Sequence, residues 1–343
     1  MKIIVAPDSF KGCLPATDVA HAMADAAREA CPSCIVTELP LSDGGEGTLD
    51  VLSAVLGADI HFARVPDPLG GAVSARFAVK GELAVIEAAQ ACGLSLIPPS
   101  RRNPLIADTK GLGELIISSY GCRCRRFLVA LGGSGTCDGG AGMLSVASVR
   151  EILKEVSVTI LCDVDNPFIG PEGAARVFGP QKGASAQDVE ILEGRMVAMA
   201  ARILEETGTD VSRIPGAGAA GGLGGAFVAY SGAEVASGIE TVLQMVGFES
   251  ELAGADLVIT GEGRSDSQTL RGKVPMGVLR HSGGIPVALV SGSIESDASM
   301  KAAGFRYVAE VTPPGMKLEE ALRPDIARNN IQNAIVKLLS GLI

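Results

Sequence analysis

Residues 257–266, with the sequence LVITGEGRSD, decide how the chain is expected to fold. An apolar run, Leu257–Thr260, leads directly into a loop of glycines and charged residues, which is typical of a buried strand that ends at a turn. Two similar apolar runs, Ile3–Ala6 and Ile35–Leu39, stand at the N-terminus with a helical pattern between them. Because two strands do not make a stable parallel sheet by themselves, we expect the C-terminal strands to complete it.

The middle of the chain has a different pattern. Residues 59–89 carry three short β runs separated by turn sequences, which is typical of an antiparallel meander. Helix–strand pairs follow, including a long helix near Ala186–Thr207, and PGAGAAGGLGG at 215–225 marks another boundary. We therefore predict a discontinuous α/β domain, residues 1–66 plus 233–343, and an inserted α+β domain, residues 67–232.

Composition excludes several classes of function. The 343 residues are 47% apolar, so a large core is expected, but only 3% aromatic, which leaves few platforms for stacking bases. A formal net charge of −10 disfavours nucleic-acid and anionic-membrane partners. No apolar run approaches the roughly 20 residues of a membrane span, and the N-terminus lacks the features of a signal peptide, so we expect a cytoplasmic protein.

The eight cysteines include a C-x-x-C pair, Cys31 and Cys34, and a C-x-C pair, Cys122 and Cys124. Structural zinc sites need two close pairs in one small module, and a thioredoxin-like pair opens a helix after a strand. Neither condition is met here, since Cys31 follows a helical stretch. We therefore expect reduced cysteines that serve as small apolar residues.

Three loops with glycine or small residues and carboxylates follow predicted strands: Pro7–Gly12 (PDSFKG), Ser42–Thr48 (SDGGEGT) and Gly261–Asp266 (GEGRSD). Ligands of open parallel sheets bind outside the carboxyl ends of the strands. One such loop is usually an ordinary turn. Three at one edge of a sheet predict a polar binding site there.

A fourth loop, GGSGTCDGG at residues 132–140, lies between a predicted strand and a helix. Glycines let backbone N–H groups approach a phosphate, and a following helix N-terminus favours its charge. Ser134 and Thr136 add hydroxyl groups, and Asp138 is a candidate ligand of Mg²⁺. The alternative interpretation is a flexible turn.

Two further segments carry candidate ligands. In CDVDNP, Asp163 and Asp165 point to one face of an extended chain and are suited to a cation or to a hydrogen-bond network. In FGPQKG, Lys182 precedes a helix and is either an anion contact or part of a solvated helix start. By contrast, GAGAAG at 216–221 fits the dinucleotide pattern G-x-G-x-x-G but follows no clear strand, so a dinucleotide fold is only weakly supported.

Taken together, glycine loops, hydroxyl groups, carboxylates and a few cations fit phosphoryl transfer, which needs positioning, charge neutralisation and a base for the acceptor hydroxyl. The residues alone indicate a small-molecule kinase or a nucleotide-using enzyme. Two rivals stay open: a kinase of another small hydroxy acid, and a non-catalytic phosphate- or nucleotide-binding module.

The order of the motifs resembles that of the type I glycerate kinases, from residue 2 to the C-terminal helix. The motifs that carry the resemblance are APDSFKG, SDGGEGT, GGSGTCDGGAGM, CDVDNPF, VFGPQKGAS, PGAGAAGGLGGA and DLVITGEGRSDSQTLRGKVPMGV. The resemblance implies ATP-dependent phosphorylation of (R)-glycerate at its 2-hydroxyl to give 2-phosphoglycerate. The expected fold class is α/β with two domains, a Rossmann-like or flavodoxin-like parallel-sheet domain and an inserted α+β domain, with the active site in the cleft between them.

We assign roles as hypotheses. Asp8 or Asp43 is the general base, while Lys11 and Arg264 bind the glycerate carboxylate or the transferring phosphoryl group. The ATP phosphates are expected on Gly132, Gly133, Ser134, Thr136, Gly139 and Lys182, and Mg²⁺ on Asp138, Asp163 or Asp266. Glycerate and ATP are thus the expected small-molecule partners, without nucleic acid or membrane, and a homodimer is left open.

The sequence departs from the family pattern at three places. Cys13 stands where serine is common in the family. Gly135-Thr136-Cys137-Asp138 stands where the family usually has Ala-Thr-Asn-Asp, so one amide contact is replaced by a thiol. After Met143 the chain is shorter than is usual in the family. We interpret this as the loss of a peripheral hairpin or as an omitted loop, with the site itself retained.

Overall fold

The computed structural model describes residues 1–342, with the backbone alone at Arg271. The strands are β1 (Lys2–Val5), β2 (Ile35–Glu38), β3 (Asp59–Pro66), β4 (Ala72–Lys80), β5 (Leu83–Glu87), β6 (Arg126–Ala130), β7 (Ser157–Leu161), β8 (Glu234–Ala236), β9 (Leu257–Thr260), β10 (Arg264–Ser265), β11 (Val287–Ser291), β12 (Ser293–Ile294) and β13 (Tyr307–Glu310).

The helices are α1 (Ala16–Ala30), α2 (Thr48–Leu56), α3 (Ala89–Cys92), α4 (Lys110–Gly121), α5 (Ala141–Ser145), α6 (Val149–Glu155), α7 (Ala174–Phe178), α8 (Ala186–Thr207), α9 (Ala219–Ser231), α10 (Gly238–Met245), α11 (Phe248–Glu251), α12 (Val274–His281), α13 (Asp297–Ala303), α14 (Leu318–Ala321) and α15 (Pro324–Ser340). Within the described chain, no helix is both long enough and apolar enough to cross a membrane.

The chain forms two compact units. The first contains Met1–Asp43 and the chain from Ile239 onward, and the second contains Gly44–Gly238. The predicted division at residues 66 and 233 differs from these bounds. The reason is strand pairing: β3 pairs with β4 along its whole length, and β8 pairs with β7, so both edge strands belong to the sheet of the second unit.

The first unit is built on a five-stranded parallel sheet in the order β13-β11-β9-β1-β2. Numbered by position within the unit, this is the order 5-4-3-1-2, which is a flavodoxin-like doubly wound sheet. The predicted α/β class is confirmed, and Ile3 pairs with Leu257 as expected of C-terminal strands that complete the sheet. The strand order reverses between β1 and β9, so their carboxyl ends flank the crevice in which such sheets bind ligands.

The second unit is built on a six-stranded sheet in the order β3-β4-β5-β6-β7-β8. The predicted meander is confirmed, because β3, β4 and β5 pair antiparallel. The remaining pairs are parallel, as helix–strand alternation requires. Helix α8 has the predicted bounds because Ser185 and Asp188 form a capping box at its start.

The glycine-rich segment 215–225 is not a boundary, contrary to the sequence-based expectation. It runs into α9, whose first turn contains left-handed Ala220, Gly221 and Gly222 and is largely buried. A Cβ on Gly221 would lie 2.1 Å from the carbonyl oxygen of Thr136. These glycines therefore let α9 pack directly on the 132–140 loop, which accounts for the G-x-G-x-x-G pattern without a dinucleotide.

The cysteine prediction is wrong for one pair. Cys31 and Cys34 form a disulfide that closes the turn between α1 and β2, where the N–H of Cys34 also donates to the carbonyl of Cys31. The sequence argument rejected a redox pair because it does not open a helix, but a turn brings the two side chains together equally well. Cys92, Cys124 and Cys137 are free and buried, as expected of small apolar residues.

Replacing Gly221 by Ala should destabilise the second unit. The residue has φ of +70°, and the added Cβ meets backbone, so we expect a loss of about 2–5 kcal/mol in the free energy of unfolding. The matched control is Gly194→Ala on α8, where a Cβ meets no atom within 4 Å; it should stabilise by about 0.5–1 kcal/mol. Urea unfolding of both variants checks the prediction, and equal effects would contradict it.

Candidate active site

The loops that follow β1, β9 and β11 are joined by backbone hydrogen bonds at the carboxyl edge of the first sheet. The N–H of Asp8 donates to Gly261 O at 2.8 Å, and the N–H of Gly292 donates to Glu262 O at 3.1 Å. A Cβ on Gly261 would lie 1.8 Å from the carbonyl oxygen of Val290. Because the two backbones approach so closely, only glycine fits at position 261. This close packing also fixes Glu262, which lies between Gly261 and Gly263.

Asp8 is the most perturbed carboxyl group of this edge. Its side chain is buried, and the N–H of Ser9 donates to Oδ1 at 2.6 Å. Burial, and after it the nearby Asp43, raise the pKa of Asp8 to about 8, while Lys11 opposes the shift. A carboxyl group with such a pKa exchanges its proton at about pH 8, within the range in which general bases of enzymes are tuned.

Glu262 is a second buried carboxyl group, which the sequence argument did not single out. Its Oε1 accepts hydrogen bonds from Ser265 Oγ at 3.0 Å and Thr269 Oγ1 at 2.5 Å. Lys273 Nζ lies 3.7 Å from Oε2. Burial raises the pKa of Glu262, and the hydroxyl donors and Lys273 oppose that shift. The available signal was its position between Gly261 and Gly263 in the strand-end loop.

The structure brings the four predicted catalytic residues into the first unit. Asp8, Lys11 and Arg264 line one cavity of about 500 Å³, together with Lys273. Asp43 forms an ion pair with Lys11, a residue of this cavity, and the distance from its Oδ2 to Lys11 Nζ is 3.9 Å. Three cations and several carboxylates therefore share a site at the switch point of the sheet.

The predicted phosphate loop of the second unit is held by its own side chains. Lys182 is buried, and its Nζ donates to Ser134 Oγ at 2.9 Å and to the carbonyl of Thr136 at 2.6 Å. Burial lowers its pKa. Ser134 and Thr136 are buried as well. Lys182 therefore braces the loop from within, and its predicted role as a contact for ATP would require it to leave these partners.

Backbone packing also accounts for the loop glycines. A Cβ on Gly132 would lie 2.4 Å from Gly45 Cα, and one on Gly139 would lie 2.8 Å from Met199 Cγ. Gly133 has a φ of +79°. Gly44 is similarly close to Leu161, 3.0 Å for the two Cβ positions. Gly44, Gly45 and the glycines of the 132–140 loop thus pack against other parts of the unit, whereas a Cβ on Gly47 would meet no atom within 4 Å.

The three predicted Mg²⁺ ligands differ in their surroundings. Asp138 is half-buried and accepts four hydrogen bonds, from Thr109 N, Thr109 Oγ1, Gly140 N and Gly142 N. Asp163 Oδ1 accepts from Ser237 Oγ and Gly238 N. Asp266 is partly exposed and lies 3.5 Å from Arg264 Nε. In the part of the chain that the structure describes, no three His, Cys, Asp or Glu side chains are arranged as a metal site.

Comparison with known proteins identifies the family. The model of the glycerate kinase family matches residues 3–152 and 144–341. The chain belongs to the glycerate kinase family. The resemblance in the motifs is confirmed, and the match divides at the segment after Met143 where the chain is shorter than expected.

Two relatives and one structure show how far the similarity extends. The glycerate kinase of Bacillus subtilis (strain 168) is 40% identical over 94% of this chain and 93% of its own length. The glycerate 2-kinase of Escherichia coli (strain K12) is 38% identical over the same shares. The crystal structure of a putative glycerate kinase 2 from Salmonella typhimurium LT2 aligns with a TM-score of 0.81 and 37% identity, covering 100% of this chain and 98% of that one.

In this glycerate kinase family member, Glu87 is a buried residue that the sequence argument missed. It ends β5, and its Oε2 accepts hydrogen bonds from Gly47 N and Leu49 N, both at 3.1 Å. These N–H groups belong to the start of α2, which otherwise has no side-chain cap. Burial raises the pKa of Glu87 to about 7, against the hydrogen bonds that it accepts. Its only signal in the sequence was an acid in the apolar run LAVIEAA.

A polar network connects Glu87 to the side of α2. Gln90 contacts the Glu87 carboxyl group and accepts from Arg76 Nε at 3.4 Å. Arg76 in turn forms a bidentate pair with Asp50 on α2, at 2.8 and 3.1 Å. Glu87 and Arg76 thus hold α2 at its start and at its flank, and they fix the glycines of residues 44–47 that precede it.

Replacing Glu87 by Gln should remove a pH dependence of stability. The folded pKa of about 7 lies above the ordinary 4.5, so the native state retains a proton that the unfolded state releases. The free energy of unfolding of the wild type should therefore fall, relative to Glu87→Gln, by about 3 kcal/mol as pH rises from below 4.5 to above 7.

Urea unfolding at about pH 4 and at about pH 8.5, one value on each side of that window, provides the measurement. The control is Glu82→Gln in the exposed turn between β4 and β5, which should show no such pH dependence. Parallel pH profiles for the wild type and Glu87→Gln would exclude the proposed burial of this carboxyl group.

Proposed function

We propose that this protein phosphorylates (R)-glycerate at its 2-hydroxyl with ATP as the donor, giving 2-phosphoglycerate. The observation that carries the proposal is the cavity at the switch point of the first sheet, where Asp8 lies among Lys11, Arg264 and Lys273. A base of raised pKa among cations matches the needs of phosphoryl transfer to an alcohol. Membership of the glycerate kinase family supports the acceptor, and the Escherichia coli relative named glycerate 2-kinase supports the position.

In the proposed reaction, Asp8 accepts the proton of the glycerate 2-hydroxyl. The alcohol oxygen forms a bond to the γ-phosphorus of ATP as the bond from that phosphorus to the bridging oxygen of ADP breaks. We prefer Asp8 to Asp43 as the base because it is buried, lines the cavity and has a pKa of about 8. Asp43 lies beside Lys11 and is proposed to position that cation.

The cations have separate tasks in the proposal. Lys11 and Arg264 bind the glycerate carboxylate and the transferring phosphoryl group, whose equatorial oxygens carry the developing charge. Lys273 is anchored by the buried Glu262 and contributes a further positive charge to the cavity. Since Glu262 is itself held by Ser265 and Thr269, the lysine has a fixed support.

Among the predicted ligands, Asp266 is the one that we propose for Mg²⁺ at this site. Mg²⁺ is usually held by one or two carboxylates together with substrate phosphates and water, and it would neutralise charge on those phosphates. Of the predicted ligands we propose Asp266, because it is partly exposed next to Arg264, which lines the cavity. Asp138 is not included, since both of its oxygens already accept hydrogen bonds. A role for Asp163 stays a prediction.

The test of the proposal is ADP release with Mg²⁺-ATP and (R)-glycerate, with the product identified by phosphorus NMR. We expect turnover with (R)-glycerate and a 2-phosphoglycerate signal. A panel of other small hydroxy acids, such as (S)-glycerate and lactate, is the control for acceptor identity. Faster turnover of another acceptor, or a 3-phosphoglycerate signal, would refute the stated substrate or position.

Asp8→Asn should lower kcat by about 10²–10⁴ because it removes the proton acceptor. Asp43→Asn should lower it less, since that variant leaves the base in place. Wild-type kcat should rise with pH through about 8, where Asp8 is half-deprotonated, and level off above that pH. Steady-state kinetics from about pH 6 to about pH 9 measures the kcat of each variant and the pH dependence of the wild-type kcat.

The control for this prediction is Asp297→Asn on the exposed start of α13, which should leave kcat unchanged. A larger loss in Asp43→Asn than in Asp8→Asn would assign the base to Asp43 instead. Urea unfolding at pH 8.5, roughly half a unit above the pKa of Asp8, should show that Asp8→Asn is at least as stable as the wild type, because a buried charge is removed.

A further inference from the structure

The cavity of the first unit has two walls of different chemistry. One wall comes from the loops after β1, β9 and β11 and carries the charged groups described above. The other comes from the chain after β13. It consists mostly of apolar side chains, with one hydroxyl group and one amide: Val311, Thr312, Leu318, Ala321, Leu322, Ala327 and Asn330. Glycerate can use only the first wall, since each of its carbons carries an oxygen.

The size of the cavity also exceeds what glycerate needs. Its volume of about 500 Å³ lies in the range of sites for cofactors and drug-sized ligands. A three-carbon acid would leave most of this space to water against apolar side chains. The second wall therefore indicates a second and larger ligand of the same cavity.

Two leucines of that wall are unusually exposed. Leu318 is 73% exposed and Leu322 is 40% exposed, although both are large and apolar. They are four residues apart, so they lie on the same face across one helical turn, and the small Ala321 lies next to Leu322 in the sequence. A flat apolar ring that covers these side chains would remove their surface from water.

Asn330 gives the apolar wall a polar edge. Its side chain is 9% exposed, and its Nδ2 donates at 3.4 Å to Met316 Sδ, which is a weak acceptor. The amide therefore retains donor and acceptor capacity toward a ligand. Apolar faces with one amide at the edge are suited to a heterocyclic base, which has flat apolar faces and hydrogen-bonding edges.

We propose that the base of the nucleoside triphosphate donor binds in the first unit, against Leu318, Ala321 and Leu322, with its phosphates directed to the charged wall. The chemical class of the donor rests on the proposed function. Lys11, Arg264 and Lys273 on the facing loops supply the positive charge that a triphosphate requires. This location differs from the 132–140 loop of the second unit, which the sequence favoured for ATP.

The test is equilibrium binding of a fluorescent ATP analogue labelled on the ribose, with unlabelled ATP as competitor and without glycerate. Ala321→Trp fills the space for the base, and the double variant Leu318→Ser, Leu322→Ser removes the apolar surface. The first should raise the Kd for ATP by excluding the base and the second by loss of apolar contact, each at least about tenfold. The matched control is Leu204→Ser on α8, a leucine of the second unit whose exposure is similar to that of Leu322, and it should leave Kd unchanged.

Thermal unfolding establishes that each variant is folded before its Kd is compared. Unchanged ATP binding in both folded wall variants, or a wild type that binds no nucleotide, would overturn the proposal. A raised KM for glycerate with unchanged ATP binding would also overturn it, because the wall would then belong to the acceptor. If the wild type binds ATP through this wall but does not phosphorylate glycerate, the proposed function fails while the nucleotide site stands.

Discussion

The parallel pairing of β1 with β9 is the constraint on which the first unit depends. It joins Ile3 to Leu257 across most of the chain, and it places the reversal of strand order between these two strands. The loops at their carboxyl ends are then forced together, as the hydrogen bond from Asp8 N to Gly261 O shows. The burial of Asp8, its raised pKa and the surrounding cations all follow from that single pairing.

In the second unit, glycines allow loops to pack closely together, whereas their sequence pattern suggests phosphate binding. Gly132 lies against Gly45, and Gly221 lies against the backbone of Thr136, so loops far apart in sequence contact each other through their backbones. Side chains at these positions would separate the loops. Buried Lys182 then bridges Ser134 and Thr136 from inside. Phosphate loops and tightly packed loops thus share a glycine-rich sequence, and only the contacts distinguish them.

Buried carboxyl groups occur in both units, but they have different partners. Asp8 faces Lys11 and Asp43 in a cavity, so its charge is free to change during a reaction. Glu87 accepts two backbone hydrogen bonds at the start of α2 and is linked through Gln90 to Arg76. Its role is therefore to hold α2 in place. Burial is the largest cause of both raised pKa values, and the partners decide whether the group is suited to chemistry or to support.

The sequence by itself determined the α/β class, the meander of residues 59–89, the charged loops at strand ends and the family, because each rests on local periodicity or on ordered motifs. The roles of Lys182 and Asp138, the importance of Glu87 and Glu262, the Cys31–Cys34 disulfide and the unit boundaries were decided by the tertiary structure. The physical reason is that burial, hydrogen-bond partners and strand pairing depend on residues that are distant in sequence, such as Asp138 and Thr109.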